Sequence, residues 1–588
     1  MNKILIICVI LCQSFVAKSY DAKILSNQNK SINGSSFTTV GSDGCQHTTI
    51  QAAIDSGVGE VRVTQETFVE NLSIVNKSVK LIGGFANCIS ATNNVNIIGR
   101  TTLDGNSVDR ALFFSNTLNN ITLEVYNFII QNGRSGDAGF AGGLDVRGTD
   151  QTSFILSNVS SIDNNGTGLA LTDIGFANFN DLSILRNSGF NGGGIRSSNS
   201  DFIIQGDSRI NENTANNNGG GMYLSNNSTL LAFSTRLNNT RKGIEDNMAK
   251  KHGGGIYAES GSKVTIISHR ILTLFGELGN DFSSFAVSLN IAGDNSFEAD
   301  GGGVYLTGSG TMMTVNGGQI EFNSATGNGG GIAVKNNASL RFETTLEDPC
   351  DQNEFCNWIY NNSAGINNSI GGGVLAESGA QVFLGNVNMN SNKADFGSAV
   401  YSNGSSTKVT IEGSVIHHHT PSTNRDGKYI LRAFTGSEII VGFSSFALND
   451  GVDATFGLFQ ADLTLAGSII FEAFYGNSVV TSNSSTVNTH CVYTHDSSTL
   501  TGINIIQSPN TPFVDEFNSD FHLKTGSLAI DACNTVSYMP TLQDIDAQNR
   551  GFDVSESADL EGLYDMGADE FWANEIIFKD GFDTLDPN

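Results

Sequence analysis

The chain is poor in proline, tryptophan and basic residues. Its 588 residues include only 6 Pro and 2 Trp, and 31 Lys and Arg stand against 59 Asp and Glu. So little proline excludes a proline-rich stalk, which depends on the extended conformation that proline imposes. The formal net charge of −28 repels phosphate backbones and anionic lipid headgroups. We therefore expect no nucleic-acid partner.

Long apolar runs are confined to the beginning of the chain, and we expect no transmembrane span. Residues 1–19 have the features of a signal peptide: Lys3 precedes an apolar stretch from Ile4 to Leu11, and Ala17 to Ser19 fits a cleavage site. The stretch is too short to cross a bilayer. A lipoprotein cleavage before Cys12 would need a small residue in place of Leu11. The sequence predicts an exported chain with an N-terminal linker over residues 20–44.

Six cysteines follow the predicted leader. In sequence order they fall into the pairs Cys45 and Cys88, Cys350 and Cys356, and Cys491 and Cys533. Six cysteines allow 15 connectivities, so these pairings rest on proximity alone. The five residues between the middle two do not match the Cys-x2-Cys spacing of zinc sites. We expect disulfides made in an oxidising compartment.

A Gly-Gly-Gly segment recurs along the middle of the chain. The copies NGGGIRS, NGGGMYLS, HGGGIYAES, DGGGVYLTG, NGGGIAVKN and IGGGVLAES begin at residues 191, 218, 252, 300, 328 and 370, and degenerate copies begin at 141, 166 and 396. The first glycines at 142, 166, 192 and 219 are separated by 24, 26 and 27 residues. The longer steps fit the same unit with loop insertions.

A repeat of about this length suits one coil of a β-solenoid. Segments such as DFIIQGDS and KVTIEGS alternate apolar and polar residues, which is typical of half-buried strands. The triple glycine predicts a corner that needs positive φ or close backbone approach, and the aliphatic residue after it should point inward. Corner asparagines should hydrogen-bond along the stack as a ladder. The sequence thus predicts an all-β, single-stranded right-handed parallel β-helix over residues 45–510.

Two resemblances support this fold. The motifs GGG[IVM] and [FN]-x-x-[AN], over roughly residues 140–405, resemble repeats of the chlamydial polymorphic outer-membrane proteins, which are surface β-helix adhesins. Residues 48–82 resemble the opening of the pectin-lyase-like right-handed parallel β-helix superfamily, with a short capping helix from Ile50 to Ile54 and a turn at 66–70. A cap is expected because the open end of a solenoid exposes its core and strand edges.

Residues 511–571 are expected to form a small C-terminal cap. DIDAQNR and LYDMGADEF resemble an anchor-associated module of exported bacterial β-helix proteins. The resemblance carries over to Asp544, Asp546, Arg550, Asp565, Gly567 and Glu570. Asp544 and Asp546 could offer oxygen ligands to Ca²⁺, although the EF-hand spacing is missing. The alternative is a purely structural cap in which Arg550 pairs with a carboxylate. Residues 572–588 resemble a sorting tail.

No catalytic residue can be assigned from the sequence. Signatures of the pectin methylesterases and the galacturonan hydrolases are missing from the chain. Asp300 and Glu321 are interpreted as solvated residues of the coils. The run His417-His418-His419 would place His417 and His419 on one face of a strand. It is interpreted as a surface patch, because two histidines without a third ligand make a weak metal site.

The leading functional hypothesis is a non-enzymatic, monomeric protein at the cell surface or outside the cell. It would bind glycans or a host or neighbouring cell surface, in adhesion or envelope attachment. The alternative is a polysaccharide lyase or glycoside hydrolase of the same fold, because one solenoid fold hosts many activities. Three or more charged side chains converging beside one sheet would favour the enzyme. A weaker third hypothesis is a secreted scaffold stabilised by Ca²⁺.

Overall fold

The computed structural model describes most of the chain after residue 35. The described residues are 36–136, 139–233, 242–272, 278–283, 285–294, 298–343, 357–365, 368–421, 428–449, 453–472, 478–495, 500–534, 543–546, 548–551 and 562–572. The predicted signal peptide, Cys350, Cys356 and the tail beyond Trp572 lie outside them. Among the described residues, no helix is long and apolar enough to cross a membrane.

The chain forms a parallel β-helix, as the repeats predict. The strands of the described residues belong to a 27-stranded sheet, a 14-stranded sheet and a five-stranded sheet, with three two-stranded pairs. We call the 14-stranded sheet the glycine sheet, because the triple glycines precede its strands. The 27-stranded sheet is the long sheet, and the five-stranded sheet is the corner sheet. The pairings within all three are parallel, and the predicted fold class is therefore confirmed.

The strand bounds show the repeat directly. The glycine sheet contains Leu72–Val75, Leu112–Ser115, Ala141–Arg147, Thr167–Thr172, Ile195–Ser198, Met222–Ser225, Ile256–Glu259, Val304–Thr307, Ile332–Lys335, Val374–Glu377, Val400–Asn403, Tyr429–Phe434, Ala454–Phe459 and Val479–Ser482. The corner sheet contains Ser188–Gly189, Thr214–Ala215, Met248–Ala249, Ile291–Ala292 and Ser324–Ala325. The two-stranded pairs are His269–Leu272 with Leu278–Ser283, Lys393–Ala394 with Thr420–Pro421, and Phe513–Asp515 with Asp520–Leu523.

The long sheet supplies the remaining strands. They are Phe37–Val40, Glu60–Thr64, Thr67–Val69, Val79–Phe85, Thr101–Asp104, Thr122–Gln131, Ser153–Ile162, Phe176–Leu185, Asp201–Gln205, Arg209–Asn211, Thr229–Phe233, Lys242–Glu245, Lys263–Ile267, Phe285–Ser288, Met312–Asn316, Gln319–Glu321, Ser339–Glu343, Trp358–Tyr360, Gln381–Gly385, Asn388–Asn390, Lys408–Glu412, Val415–His417, Glu438–Gly442, Ser445–Ala447, Asp462–Phe471, Thr486–Thr494 and Ile503–Gln507.

The triple glycines stack on one another, and a different constraint favours glycine at each of the three positions. Gly219 has φ +67°, which side chains rarely adopt. A Cβ on Gly220 would lie 2.4 Å from the carbonyl oxygen of Gly254 in the next rung. A Cβ on Gly221 would lie 3.0 Å from the side-chain nitrogen of Asn247. The residue that follows, Met222, is fully buried in the core, as predicted.

A ladder of buried asparagines joins successive rungs by hydrogen bonds. In each rung the side-chain oxygen accepts hydrogen bonds from the backbone N–H and the Nδ2 of the asparagine one rung earlier, as when Asn247 accepts from both groups of Asn213 at 3.0 Å. Asn213 Nδ2 also donates to the carbonyl of Ile184 at 2.9 Å. The ladder runs through Asn164, Asn187, Asn213, Asn247, Asn290, Asn323, Asn362 and Asn392. Most of these residues open an Asn-x-Ala segment, so the continuous ladder lies beside the triple glycines and not at their own Asn.

His419 continues the ladder where an asparagine would be expected. Its Nδ1 accepts from the backbone N–H of Asn392 at 3.2 Å, and its Nε2 lies 3.1 Å from the carbonyl of Met389. His417 is also buried and packs its ring against Phe521, with the ring centroids 4.7 Å apart. His418, which lies between them in the chain, has φ +53°, so the backbone bends there. The interpretation of the histidine run as a surface patch is wrong, because His417 is only 4% exposed and His419 0%.

The N-terminal region contains two short helices, Ile50–Asp55 and Cys88–Asn93. The Thr49 side chain accepts from the N–H of Ala52, and the Glu70 carboxylate accepts from the N–H groups of Ile50 and Gln51 at 2.8 and 2.9 Å. The first helix thus lies where the sequence predicts one. Its role as a cap stays a prediction. A disulfide joins Cys45 to Cys88, and a second joins Cys491 to Cys533.

The described residues of the C-terminal segment pack on the outer side of the long sheet. Phe513, Phe521 and Met566 share an apolar cluster with Ile469 of that sheet and with Phe443, which lies between two of its strands. The N–H of Gly567 donates to the carbonyl of Gly467 at 2.7 Å, and the N–H of Ala568 donates to Ser445 Oγ at 3.0 Å.

The first prediction concerns the ladder. Asn213→Ala should lower the free energy of unfolding by about 3 kcal/mol, because it removes the acceptor of two buried donors and the donor to a buried carbonyl. Asn216→Ala, at an exposed position three residues away, should change it by less than about 0.5 kcal/mol. Denaturant unfolding measures both. Equal effects of the two substitutions would contradict the ladder's role.

The second prediction concerns acid sensitivity. Burial, helped by the charge of His418 and opposed by backbone hydrogen bonds, lowers the pKa of His419 to about 4. The unfolded chain then binds a proton more readily than the folded chain, so stability should fall as the pH drops from about 6.5 towards 4, by up to about 3 kcal/mol. His419→Asn should remove this part of the pH dependence. Unfolding measured at pH 4.5 and pH 7.5 would show it, and parallel losses in both proteins would contradict it.

Candidate functional site

The outward side chains of the glycine sheet form two continuous columns, because alternate residues of a strand point to the same side. The parallel register places equivalent residues of successive rungs beside one another. The first column is Phe113, Asp145, Ala170, Arg196, Tyr223, Tyr257, Tyr305, Ala333, Leu375, Tyr401 and Arg432. The second includes Arg147, Thr172, Ser198, Ser225, Glu259, Thr307, Lys335, Glu377, Asn403 and Phe434. We call these columns the outer band.

Three tyrosines stack in the middle of the outer band. The ring centroids of Tyr223 and Tyr257 are 5.3 Å apart, and those of Tyr257 and Tyr305 are 5.2 Å apart, with nearly parallel planes. The imidazole of His252 stacks against Tyr305 at 4.6 Å. The tyrosines belong to an apolar cluster separate from the core of the helix. Inside the stack the ring faces cover one another, and each tyrosine is only 7–9% exposed, so only a narrow edge of each residue reaches solvent.

The tyrosine hydroxyls are tied to Glu259. Both Tyr223 and Tyr257 donate a hydrogen bond to its carboxylate. Burial, followed by the negative charge of Glu259, raises the pKa of Tyr257 far above its usual value. Burial and the hydrogen bond to Glu259 do the same to the pKa of Tyr223. Both phenols therefore remain neutral hydrogen-bonding groups at physiological pH.

Lys335 bridges two carboxylates next to this stack. Its Nζ lies 2.9 Å from Asp300 Oδ2 and 2.8 Å from Glu377 Oε2. Burial by itself lowers the pKa of Lys335, but the charges of Asp300 and Glu377 outweigh it and hold that pKa above its usual range. Three charged side chains thus converge on the outer band, which was the arrangement expected of an enzyme. The amine is, however, held protonated.

The N-terminal end of the outer band combines arginines with phenylalanines. Arg110 and Arg147 both pair with the buried carboxylate of Asp145, at 2.8 and 2.7 Å. The Arg110 guanidinium lies 4.5 Å from the ring centroid of Phe113, and that of Arg147 lies 4.1 Å from the ring of Phe140. Such contacts combine cation–π attraction with a fixed orientation of the cation.

The C-terminal end of the outer band repeats this chemistry. Arg432 lies 4.3 Å from the ring centroid of Phe396, and Phe434 stacks on Phe459 at 4.5 Å. Along the two columns of the outer band, basic and acidic side chains are nearly equal in number. The whole chain, in contrast, carries a net charge of −28.

The interpretation of Asp300 and Glu321 as solvated coil residues is wrong. Glu321 is buried in the long sheet. Asp300 is largely buried beside Lys335, and one of its carboxylate oxygens accepts from the N–H of Asn328 at 2.8 Å. No motif or spacing singles out Lys335 or Glu377. The tyrosine stack could have been predicted from the sequence, because a tyrosine stands at the second position after three of the triple glycines.

The residues singled out in the C-terminal segment converge in space. Asp544 Oδ1 accepts from the N–H groups of Asp546 and Gln548 at 3.0 and 2.7 Å, and its Oδ2 accepts from the N–H of Glu570 at 3.1 Å. The Asp565 carboxylate accepts from the N–H groups of Asp531 and Phe571 at 2.7 and 2.6 Å. These backbone hydrogen bonds close the loops of the segment.

Arg550 and Gly567 complete this arrangement. An Arg550 guanidinium nitrogen lies 3.7 Å from Glu570 Oε2, and another donates to the carbonyl of Ala568 at 2.6 Å. Gly567 has φ +104°, and a Cβ there would lie 2.7 Å from Ile469. Burial and the charge of Glu570 raise the pKa of Asp565 well above its usual value. The geometry accounts for these residues by packing and hydrogen bonding, as in the structural-cap hypothesis.

A second group in the same segment was not anticipated. His522 Nδ1 lies 2.6 Å from Asp520 Oδ1, and His522 Nε2 lies 2.9 Å from Asp546 Oδ2. One ligand atom each of His522, Asp546 and Asp569 lie within 4.8 Å of one another. We call Asp520, His522, Asp546 and Asp569 the carboxylate–histidine cluster. The sequence pattern indicated Asp546 but not the other three residues, because the cluster is assembled from three separate segments.

Comparison with known proteins gives no further assignment. No protein-family model matches the chain. A search of curated proteins finds no significant match.

The third prediction concerns Lys335. Lys335→Met should lower the free energy of unfolding by about 2 kcal/mol, because it leaves two largely buried carboxylates side by side without their cation. Lys263→Met, at an exposed position on the long sheet, should change it by less than about 0.5 kcal/mol. Thermal and denaturant unfolding would measure both proteins. No difference between them would show that the bridge contributes nothing.

Proposed function

We propose that this protein is an exported, non-enzymatic β-helix protein that binds an extended glycan along the outer band. The observation that carries the proposal is the continuity of the band: polar or charged side chains occupy its second column on consecutive rungs from Arg147 to Asn403, and aromatic side chains recur in its first column. A polymer with repeating units can meet similar groups rung after rung. Its site would be a cell surface or the extracellular space, where the predicted signal peptide would direct the chain.

The chemistry of the outer band supports a carbohydrate ligand. Neutral tyrosine hydroxyls, the Glu259 carboxylate and the Lys335 ammonium can exchange hydrogen bonds with sugar hydroxyls. The Arg432 guanidinium lies on aromatic rings, so its position is set before any ligand arrives, which limits the entropy lost on binding. The near balance of charge along the band also reduces the repulsion that the acidic chain would otherwise exert on uronic acids.

The repeat motifs and the N-terminal opening support a place within the pectin-lyase-like superfamily and a likeness to the chlamydial surface adhesins. The C-terminal segment supports a likeness to the anchor-associated module. We include these likenesses in the proposal, and they would imply that the protein is retained at the cell envelope.

A polysaccharide lyase or glycoside hydrolase is the second candidate, and one observation favours it. Asp300 and Glu377 both lie within hydrogen-bonding distance of the same lysine nitrogen, at 2.9 and 2.8 Å. Paired carboxylates are the machinery of most glycosidases. However, Lys335 bridges them, and a lysine held protonated cannot abstract the proton that a lyase must remove. The ion-paired arrangement therefore favours binding over turnover.

The fourth prediction tests this proposal with a matched pair of variants. Arg432→Gln in the outer band should weaken binding to an immobilised or soluble polysaccharide about tenfold, because it removes a charged hydrogen-bond donor. Arg341→Gln should leave affinity unchanged. Arg341 also lies 4.3 Å from a phenylalanine ring, but it belongs to the long sheet. Isothermal titration against a panel of neutral and acidic polysaccharides would measure the affinities.

Two outcomes would contradict the proposal. Equal weakening by both substitutions, or no binding across the panel, would remove the outer band as the ligand surface. Release of reducing ends or unsaturated products during the same incubations, lost in Glu377→Gln, would replace it with the enzyme hypothesis.

A further inference from the structure

We infer that His522, Asp546 and Asp569 bind a divalent transition-metal ion, for which Zn²⁺ is the best-suited probe, and that Asp520 orients the imidazole. The inference does not depend on the proposed glycan binding. It concerns a different part of the molecule, the C-terminal segment on the outer side of the long sheet.

The hairpin of Phe513–Asp515 and Asp520–Leu523 presents the histidine. Phe521 and Leu523 are buried in the apolar cluster with the long sheet. Since side chains alternate along a strand, Asp520 and His522 are turned to the other side together. The Asp520 carboxylate, 2.6 Å from Nδ1, fixes the ring and leaves Nε2 directed at Asp546. A carboxylate on the remote nitrogen of a histidine is the usual support of a metal-binding imidazole.

Asp546 is held by its loop. Its backbone N–H donates to Asp544 Oδ1 at 3.0 Å, and the carbonyl of Asp544 accepts from Asn386 Nδ2 of the β-helix at 3.0 Å. Both oxygens of Asp544 already accept backbone N–H groups, which makes Asp544 a support of this loop. The ligand set therefore differs from the calcium hypothesis of Asp544 with Asp546.

Asp569 approaches from a third segment. Its Oδ2 accepts from the N–H of Leu523 at 2.7 Å, and its side chain is almost completely buried, with 1% exposed. The flanking residues are fixed as well, since the N–H of Ala568 donates to Ser445 Oγ and that of Glu570 donates to Asp544. Three segments that are far apart in sequence are thus anchored so that their ligand atoms lie within 4.8 Å of one another.

The spacing and the charge of the cluster both suit a metal ion. Ligand atoms about 2.0–2.2 Å from a tetrahedral zinc ion lie roughly 3.3–3.6 Å from each other, so the described positions need only small movements. Three carboxylates and the imidazole meet in a largely buried place, where negative charge is costly. A divalent ion would lower that cost. One nitrogen with two carboxylate ligands favours zinc or manganese over calcium, which prefers a shell of six to eight oxygens.

A second group of possible ligands among the described residues does not form a competing site. His490 lies near Cys491 and Cys533, but these two cysteines are joined in a disulfide. The metal would instead tie the hairpin, the Asp546 loop and the Asp569 segment to one another. This would secure the C-terminal segment on the side of the β-helix.

The fifth prediction tests the site on the full mature chain after removal of metals with a chelator. Zn²⁺ should bind with a stoichiometry of one per chain in isothermal titration and should raise the melting temperature. Asp520→Asn should weaken Zn²⁺ binding about 10–100-fold, as expected for loss of the group that orients a ligand. His522→Gln and Asp569→Asn should weaken it at least as much, and Asp515→Asn, in the same hairpin, should bind as the unchanged protein does.

Further measurements keep the test decisive. Circular dichroism of each metal-free variant would show whether the β-helix is retained, and Co²⁺ in place of Zn²⁺ should give visible absorption bands that His522→Gln alters. Failure of Zn²⁺ and Mn²⁺ to bind, or unchanged binding by the His522 and Asp569 variants, would overturn the inference. So would stabilisation by Ca²⁺ alone that is lost in Asp544→Asn.

Discussion

The asparagine ladder is the interaction on which the rest of this structure depends. A parallel β-helix closes its rungs at sharp corners, where backbone and side-chain polar groups leave solvent and must still be hydrogen-bonded. Here each ladder asparagine after Asn164 accepts from two N–H groups of the preceding rung and donates to a carbonyl, as Asn290 does for Asn247 and Ile244. The close approach of this column requires a glycine opposite it, such as Gly255, whose Cβ would lie 2.9 Å from Asn290 Nδ2. The glycine recurs because the ladder asparagine beside it leaves no room for a side chain.

The repeat made the fold predictable, because the same local constraint is written into every rung. The recurrence of glycine and the inward aliphatic residue after it predicted stacked corners, and Met222 and Val304 lie in the core accordingly. The ladder was expected at the asparagine before the triple glycine. It runs instead mainly through the Asn-x-Ala segments, whose asparagines are buried, whereas Asn191, Asn218 and Asn328 before the triple glycines are half-buried. The ladder position of His419 could not be predicted, because no local sequence feature distinguishes a buried histidine in the place of a ladder asparagine from a histidine on the surface.

The sites were less predictable than the fold, because they depend on residues that only the rung register or the tertiary packing brings together. Lys335, Asp300 and Glu377 come from three different rungs. The tyrosine stack is a direct consequence of the repeat and could have been derived from the alignment of GGGMY, GGGIY and GGGVY. The carboxylate–histidine cluster has no such periodic signal. The ladder fixes the rungs, the rungs align the residues of the outer band, and the described C-terminal residues pack against the side of the β-helix.

Hydrogen exchange of the backbone amides of Asn213, Asn247, Asn290, Asn323 and Asn362 tests the central claim most directly. These N–H groups are buried donors to the asparagine of the next rung, so they should exchange slowly and as one cooperative block, far more slowly than the N–H of Asn226 in the exposed turn after Met222–Ser225. Rapid exchange at the ladder positions, or protection no greater than at Asn226, would contradict the account.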